Sequence, residues 1–173
     1  MRNLNHKIFR ESGLFNNGGK ALHRGIEVSG AIYPVEGLKL YGSGAIQRAT
    51  IEYGMNKGNR VPYAPRYTAT AGAKYQCGVG EGTLTTNVYG NFVSSQFSDL
   101  ANTFEGSANG NVGLIPKFFL LNATASYSYK QWNFNLNALN LLNRKYFTTR
   151  HNAWGGIMPA ATISVLAGVG YQF

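Results

Sequence analysis

Apolar residues recur on every second position through most of this chain. The final segment shows it best: Ile163, Val165, Ala167, Val169, Tyr171 and Phe173 alternate with Thr162, Ser164, Gly168, Gly170 and Gln172, and only Leu166 breaks the pattern. Period-two alternation predicts a β-strand with one apolar and one polar face. The same rhythm runs through residues 21–34 (Ile26, Val28, Ile32 against Glu27, Ser29, Ala31) and 38–52 (Leu38, Leu40, Ile46 against Lys39, Tyr41, Ser43, Gln47). It continues through 66–77, 83–97, 117–130 and 132–142, where Trp132, Phe134, Leu136 and Ala138 face away from Asn133, Asn135 and Asn137. The pattern predicts seven strands and a weaker one near residues 5–11.

Two regularities decide the environment of these strands. Their second face is Asn, Thr, Ser and Gln rather than another apolar set, which suits a wet lumen better than a sandwich core. Their connections also alternate in length. Short ones are expected at 34–37, 78–81 and 130–131, and long ones at about 11–20, 53–65, 98–116 and 143–159. Bacterial outer-membrane barrels have short periplasmic turns and long outer loops. Placing Phe173 at the periplasmic end makes every short connection periplasmic. Trp132, Tyr129, Tyr171 and Phe173 then gather at that end, with Tyr67, Phe118 and Phe119 near the other, as two aromatic girdles require. The expected fold class is all-β: antiparallel transmembrane β-barrel strands. The competing reading is a soluble β-sandwich that closes on an edge strand.

Composition agrees with strands and narrows the chemistry. Charged residues are 13% of the chain, about half the usual fraction, whereas there are 22 Gly, 11 Tyr and 10 Phe. No apolar run approaches the roughly 20 residues of a spanning helix, so a membrane crossing must use strands of a closed barrel. The single cysteine, Cys77, excludes an internal disulfide framework. Met1–Gly13 has no apolar core and does not read as a secretory signal, so an exported protein would carry its leader elsewhere. A net charge of +9 raises the possibility of nucleic-acid binding, but Lys and Arg are scattered and no RNA-binding sheet motif is visible. His6, His23 and His151 lack metal-ligand spacing. Asp99 and Glu105 share a loop where acids are ordinarily solvated. No nucleophile–base–orienter set emerges, so neither catalysis nor a resident metal or cofactor is expected.

Several blocks are more specific. His23-Arg24-Gly25-Ile26-Glu27, Asn59-Arg60-Val61-Pro62-Tyr63-Ala64-Pro65-Arg66, Asn140-Leu141-Leu142-Asn143-Arg144-Lys145-Tyr146-Phe147, Gly155-Gly156-Ile157-Met158-Pro159 and Tyr171-Gln172-Phe173 follow one another in order. Over roughly residues 20–173 they resemble the C-terminal barrel portion of TonB-dependent outer-membrane receptors. The segments 94–99, Ala101-Asn102-Thr103 and 113–116 look closest to ferric citrate receptors. The resemblance implies that residues 1–173 supply part of a barrel of about 22 strands, with the plug and the TonB-contacting segment upstream of this chain. It also implies energised uptake of a ferric chelate, with ferric citrate favoured. Implied partners are outer-membrane lipid and lipopolysaccharide, the barrel-assembly machinery through Phe173, and TonB only through the upstream part; no nucleic acid is expected. The rival is a complete eight-stranded barrel with a structural or porin-like role, since eight strands can close on their own.

Ferric chelates are commonly anionic, so outer-loop cations are the candidate ligand contacts. Lys57, Arg60, Arg66, Arg144, Lys145, Arg150 and His151 map to those loops. Arginine suits carboxylates because its planar fork donates two parallel bonds. Arg150, His151 and Trp154 share one loop and come first, followed by Arg60 and Lys57. Gln96 and Asn102 are polar candidates at the rim. The alternative is that these cations meet lipopolysaccharide phosphates or are merely solvated.

Overall fold

Alternation along one segment becomes a continuous face only when neighbouring strands pair in register. A computed structural model describes residues 3–11, 14–151 and 156–173, with side chains from Lys20 onward. It contains β1 (Asn3–Glu11), β2 (Leu14–Val35), β3 (Leu38–Ile51), β4 (Tyr67–Val79), β5 (Gly82–Val93), β6 (Gln96–Phe97), β7 (Leu114–Ile115), β8 (Phe118–Tyr129), β9 (Trp132–Leu139), β10 (Phe147–His151), β11 (Gly156–Pro159) and β12 (Ser164–Tyr171). Eight of these make one antiparallel sheet in the order β1-β2-β3-β4-β5-β8-β9-β12, while β6 with β7 and β10 with β11 form two small ribbons.

The register keeps like with like. One row runs Ile32, Leu40, Ala73, Val88, Ala123, Ala138 and Val165 across seven strands. The row of opposite parity beside it runs Lys39, Lys74, Asn87, Thr124, Asn137 and Leu166. Leu166 is the one large apolar side chain in that polar row. Polar neighbours hydrogen-bond on their face: Tyr41 Oη donates to Asn87 Oδ1 at 3.0 Å and Thr70 Oγ1 to Asn91 Oδ1 at 2.9 Å. The apolar face has no second layer on it. Ile26, Val28, Ile32, Val165 and Val169 are each 62–73% exposed, so the sandwich reading is not what this chain adopts.

Two-residue turns at Glu36-Gly37, Gly80-Glu81 and Lys130-Gln131 close one end of the sheet. Gly37 is obligatory there: its φ is +77°, and a Cβ would run into the Gln76 carbonyl oxygen. Trp132 and Tyr171 meet edge-to-face at 4.8 Å at this end, and Tyr171 meets Phe173 at 5.2 Å. The other end carries the long connections. Two expectations need correction. Residues 11–20 do not form a long loop; β1 pairs with β2 from Glu11↔Leu14 to Asn3↔His23. The Asn16-Asn17-Gly18-Gly19 composition reads as a loop, but a neighbouring strand supplies ladder partners and overrides that local preference. Nor do the eight strands close, because β1 and β12 stand at opposite edges of an open sheet.

If the apolar face meets hydrocarbon, Val88→Arg in the middle of that face should lower stability by about 2–4 kcal/mol. Thr124→Arg, in the adjacent polar row, should change it by less than about 0.5 kcal/mol. Urea unfolding of the bilayer-inserted protein measures both.

Candidate functional site

The loop end is built from three pieces that reach one another through backbone groups. The segment after β3 turns back along it: Thr50 and Arg60 form an isolated bridge, and Val61 N donates to Ala49 O at 3.0 Å. Ala21, Ala49, Ile51 and Val61 bury a small apolar cluster beneath this ridge, with Ala64 and Leu100 against it. The loop between β5 and β8 docks on the ridge. Asn102 does the joining, since its Oδ1 accepts from Arg60 N at 2.7 Å and its Nδ2 donates to Arg60 O at 2.8 Å. A side-chain amide thus imitates a strand partner. It needs φ of +59°, a left-handed conformation that Asn tolerates better than most residues. Asn59 Nδ2 adds a bond to Leu100 O at 2.9 Å.

The β10–β11 ribbon docks on the same loop. Arg150 Nη1 donates to Gly110 O at 2.9 Å and Nη2 to Leu114 O at 3.1 Å, while the guanidinium lies 5.1 Å from the Phe147 ring centre. Tyr63 Oη donates to the Arg150 carbonyl at 2.8 Å, which ties the ribbon to the ridge as well. Asn111 Oδ1 accepts from Gly156 N at 2.9 Å.

The sequence-derived candidates therefore separate into two kinds. Arg60, Asn102, Gln96 and Arg150 come together, but as the frame of the site. Arg60 stacks 5.2 Å from the Phe97 ring centre and reaches the Ala64 and Ser95 carbonyls. Burial, with Arg66 close by, holds its guanidinium below the usual arginine range. Gln96 is buried and pairs in register with Ile115. Lys57 and His151 are exposed, Lys57 on the turn after β3 and His151 at the end of β10. Trp154 lies outside the described residues. Asp99 accepts from Thr103 N and Thr103 Oγ1, the latter at 2.8 Å, so it shapes its own loop.

One structural residue was singled out only as part of a motif. Asn140 is 3% exposed with φ of +51°. Its backbone N donates to Asn122 Oδ1 at 3.0 Å, its Nδ2 donates to Arg144 O at 2.9 Å and to Ala161 O at 3.2 Å, and its Oδ1 accepts from Arg144 N at 2.8 Å. The asparagine at the start of that block pins the corner where β9 leaves the sheet. Among the described residues, no group of three His, Cys, Asp or Glu side chains could hold a metal ion.

An open antiparallel sheet with an uncovered apolar face, a polar face, tight turns at one end and knitted loops at the other defines a wall segment of an outer-membrane type of β-barrel. The sequence matches the family described as TonB dependent receptor-like, beta-barrel over residues 4–141, and the chain belongs to that family. Among solved structures it is similar to the ferric yersiniabactin uptake receptor FyuA from Yersinia pestis, at 20% identity and a TM-score of 0.77 over 92% of this chain and 25% of that one. It is also similar to the ferric citrate transporter FecA in its unliganded form (30% identity, TM-score 0.75, 88% of this chain, 24% of that one). A third is the ferric preacinetobactin receptor BauA from Acinetobacter baumannii (25%, 0.73, 100% and 25%). The chain spans about a quarter of the length of each. The family and these structures are receptors and transporters, not enzymes.

Replacing Asn140 with Ala should cost about 1–3 kcal/mol, because it leaves buried backbone groups without partners. Asn102→Ala should leave the sheet intact and free the 98–104 loop from the ridge. Faster protease cleavage confined to that loop would show this, and cleavage unchanged from the parent would contradict it.

Proposed function

We propose that this chain forms part of the wall of an outer-membrane receptor for energised uptake of an anionic ferric chelate, with ferric citrate as the favoured cargo. The observation that carries the reading is the two-faced sheet in a chain of this family, with exposed cations at its loop end. The polar face also presents Lys39 directly opposite Lys74, which gives a positive potential along the wall that an anion would follow. Citrate is favoured by the 30% identity to FecA over 88% of this chain. In this reading Lys57 and His151 meet the chelate. Arg60, Asn102, Gln96 and Arg150 hold the loops that present them.

The free edges of β1 and β12 support further strands on both sides, and with them the plug and the TonB contact that such receptors use. Phe173, fully exposed beside Tyr171, is the group that the assembly machinery would take.

Cells that express the receptor containing this chain, starved of iron and given radiolabelled ferric citrate, should bind it saturably. Lys57→Gln should weaken half-saturation by roughly fivefold, the value of one surface charge at about 1 kcal/mol. Absence of saturable citrate binding alongside saturable binding of another ferric chelate would reassign the cargo.

A further inference from the structure

Asn-Gly occurs twice in this chain, at Asn17-Gly18 and at Asn109-Gly110. An asparagine side-chain amide can be attacked by the backbone nitrogen that follows it. Glycine is the successor that hinders this least, because it has no Cβ. The two pairs stand in different surroundings. Asn17 lies inside β2 and pairs with Ile8 of β1, so a ladder holds its backbone extended. Asn109 is exposed in the loop between β5 and β8.

The Asn109 amide oxygen accepts two hydrogen bonds. Ser107 Oγ donates to Asn109 Oδ1 at 2.8 Å, and Asn111 N donates to it at 3.2 Å. Val112 N donates in turn to Ser107 Oγ at 3.1 Å, which strengthens that hydroxyl as a donor. Val112 O, its other acceptor, is farther away at 3.4 Å. Attack on Cγ moves negative charge onto Oδ1. Donors already fixed on that atom lower the barrier, as they do in an oxyanion hole. The turn also carries a brake: Gly110 N donates to Ser107 O at 2.8 Å, and this bond must open before the nitrogen attacks.

We propose that Asn109 is a self-modification site. Gly110 N attacks Asn109 Cγ and yields its proton to solvent. The Cγ–Nδ2 bond breaks, and the departing nitrogen takes up a proton and leaves as ammonia. The product is a cyclic imide. Water adds to either of its carbonyls and reopens the ring, which leaves aspartate or an isoaspartyl link at position 109. One water is consumed and one ammonia released, with no change of oxidation state.

The product acts on the docking of the β10–β11 ribbon. Arg150 Nη1 donates to Gly110 O at 2.9 Å, and a Cβ on Gly110 would come within 3.0 Å of Gly156 Cα. An isoaspartyl link lengthens the backbone by a methylene beside this contact and leaves a free carboxylate there, so the ribbon loosens. The added negative charge also weakens the pull of the loop end on an anionic cargo. That last consequence rests on the receptor reading, whereas the reaction does not.

The test uses the purified receptor that contains this chain, incubated without cargo at mildly alkaline pH. Peptide mass analysis and labelling by an isoaspartate methyltransferase follow both asparagines over time. The expected result is conversion at Asn109 well ahead of Asn17, with faster protease cleavage within β10 or β11 in the converted fraction. Ser107→Ala removes a donor to Oδ1 and should slow conversion roughly fivefold, the equivalent of one net hydrogen bond. Ser107→Thr keeps the hydroxyl and should keep most of the rate. A loop that reacts only because it is flexible would behave in the opposite way, since Ser107→Ala also removes the bond from Val112 N and loosens the turn. The comparison of the two asparagines within the parent chain needs no variant. Conversion that is absent at Asn109, no faster there than at Asn17, or undiminished in Ser107→Ala would overturn the proposal.

Discussion

A backbone amide in hydrocarbon has no water to turn to, so every N–H and C=O of a spanning segment must find its partner within the protein. The architecture follows from that constraint. Eight strands satisfy one another through their ladders, and the register gathers the alternating apolar residues, from Ile26 and Val28 on β2 to Val165 and Val169 on β12, on one side. A slip of one residue in any ladder would send that strand's polar set into lipid. The two-residue turns at Gly37, Gly80 and Lys130 are the mechanical reason this does not happen, since a tight turn fixes the pairing of the strands it joins. The same constraint makes the outer edges of β1 and β12 the most demanding features of the sheet, because each presents ladder groups that lipid cannot satisfy.

Above the hydrocarbon boundary the constraint relaxes and the construction changes. Loops there are joined by side chains that substitute for strands: Asn102 against Arg60, Arg150 against Gly110 and Leu114, Asn140 at the corner of β9. Each of these residues donates to backbone carbonyls, and the asparagines accept from amides as well. Charge in the loops is thus divided between arginines committed to holding the frame and exposed lysines such as Lys57. A rigid frame under a charged rim suits capture of a large, hydrated anion, since little ordering remains to be done on binding.

The strands were legible because their signal is periodic and repeated; Trp132, Phe134, Leu136 and Ala138 against three asparagines leaves few alternatives. Two of the two-residue turns were legible because Gly37, after Pro34, and Gly80 mark them, whereas Lys130-Gln131 showed only as the break between two alternating runs. The β1–β2 ladder was not, because Asn16-Asn17-Gly18-Gly19 carries loop chemistry and only the neighbouring strand makes it extended. Nor could the split among the cations be read. Arg60 and Lys57 look equivalent in sequence, and only the Phe97 ring and the Ala64 and Ser95 carbonyls distinguish a frame arginine from an exposed lysine. The Arg24–Arg48 pairing was hidden in the same way, since their opposition depends on a register set 13 residues along the chain from Arg24, by Gly37 and its turn.

The central claim is that one side of each main strand is solvated by lipid and the other by water. A nitroxide scanned along β4 from Thr68 to Gln76, in the receptor reconstituted into bilayers, tests it most directly. The account predicts that collision with dissolved oxygen peaks at Ala69, Ala71, Ala73 and Tyr75, and that collision with a water-soluble nickel chelate peaks at Thr68, Thr70, Gly72, Lys74 and Gln76. Oxygen and nickel profiles that rise and fall together, or that show no period of two, would contradict it.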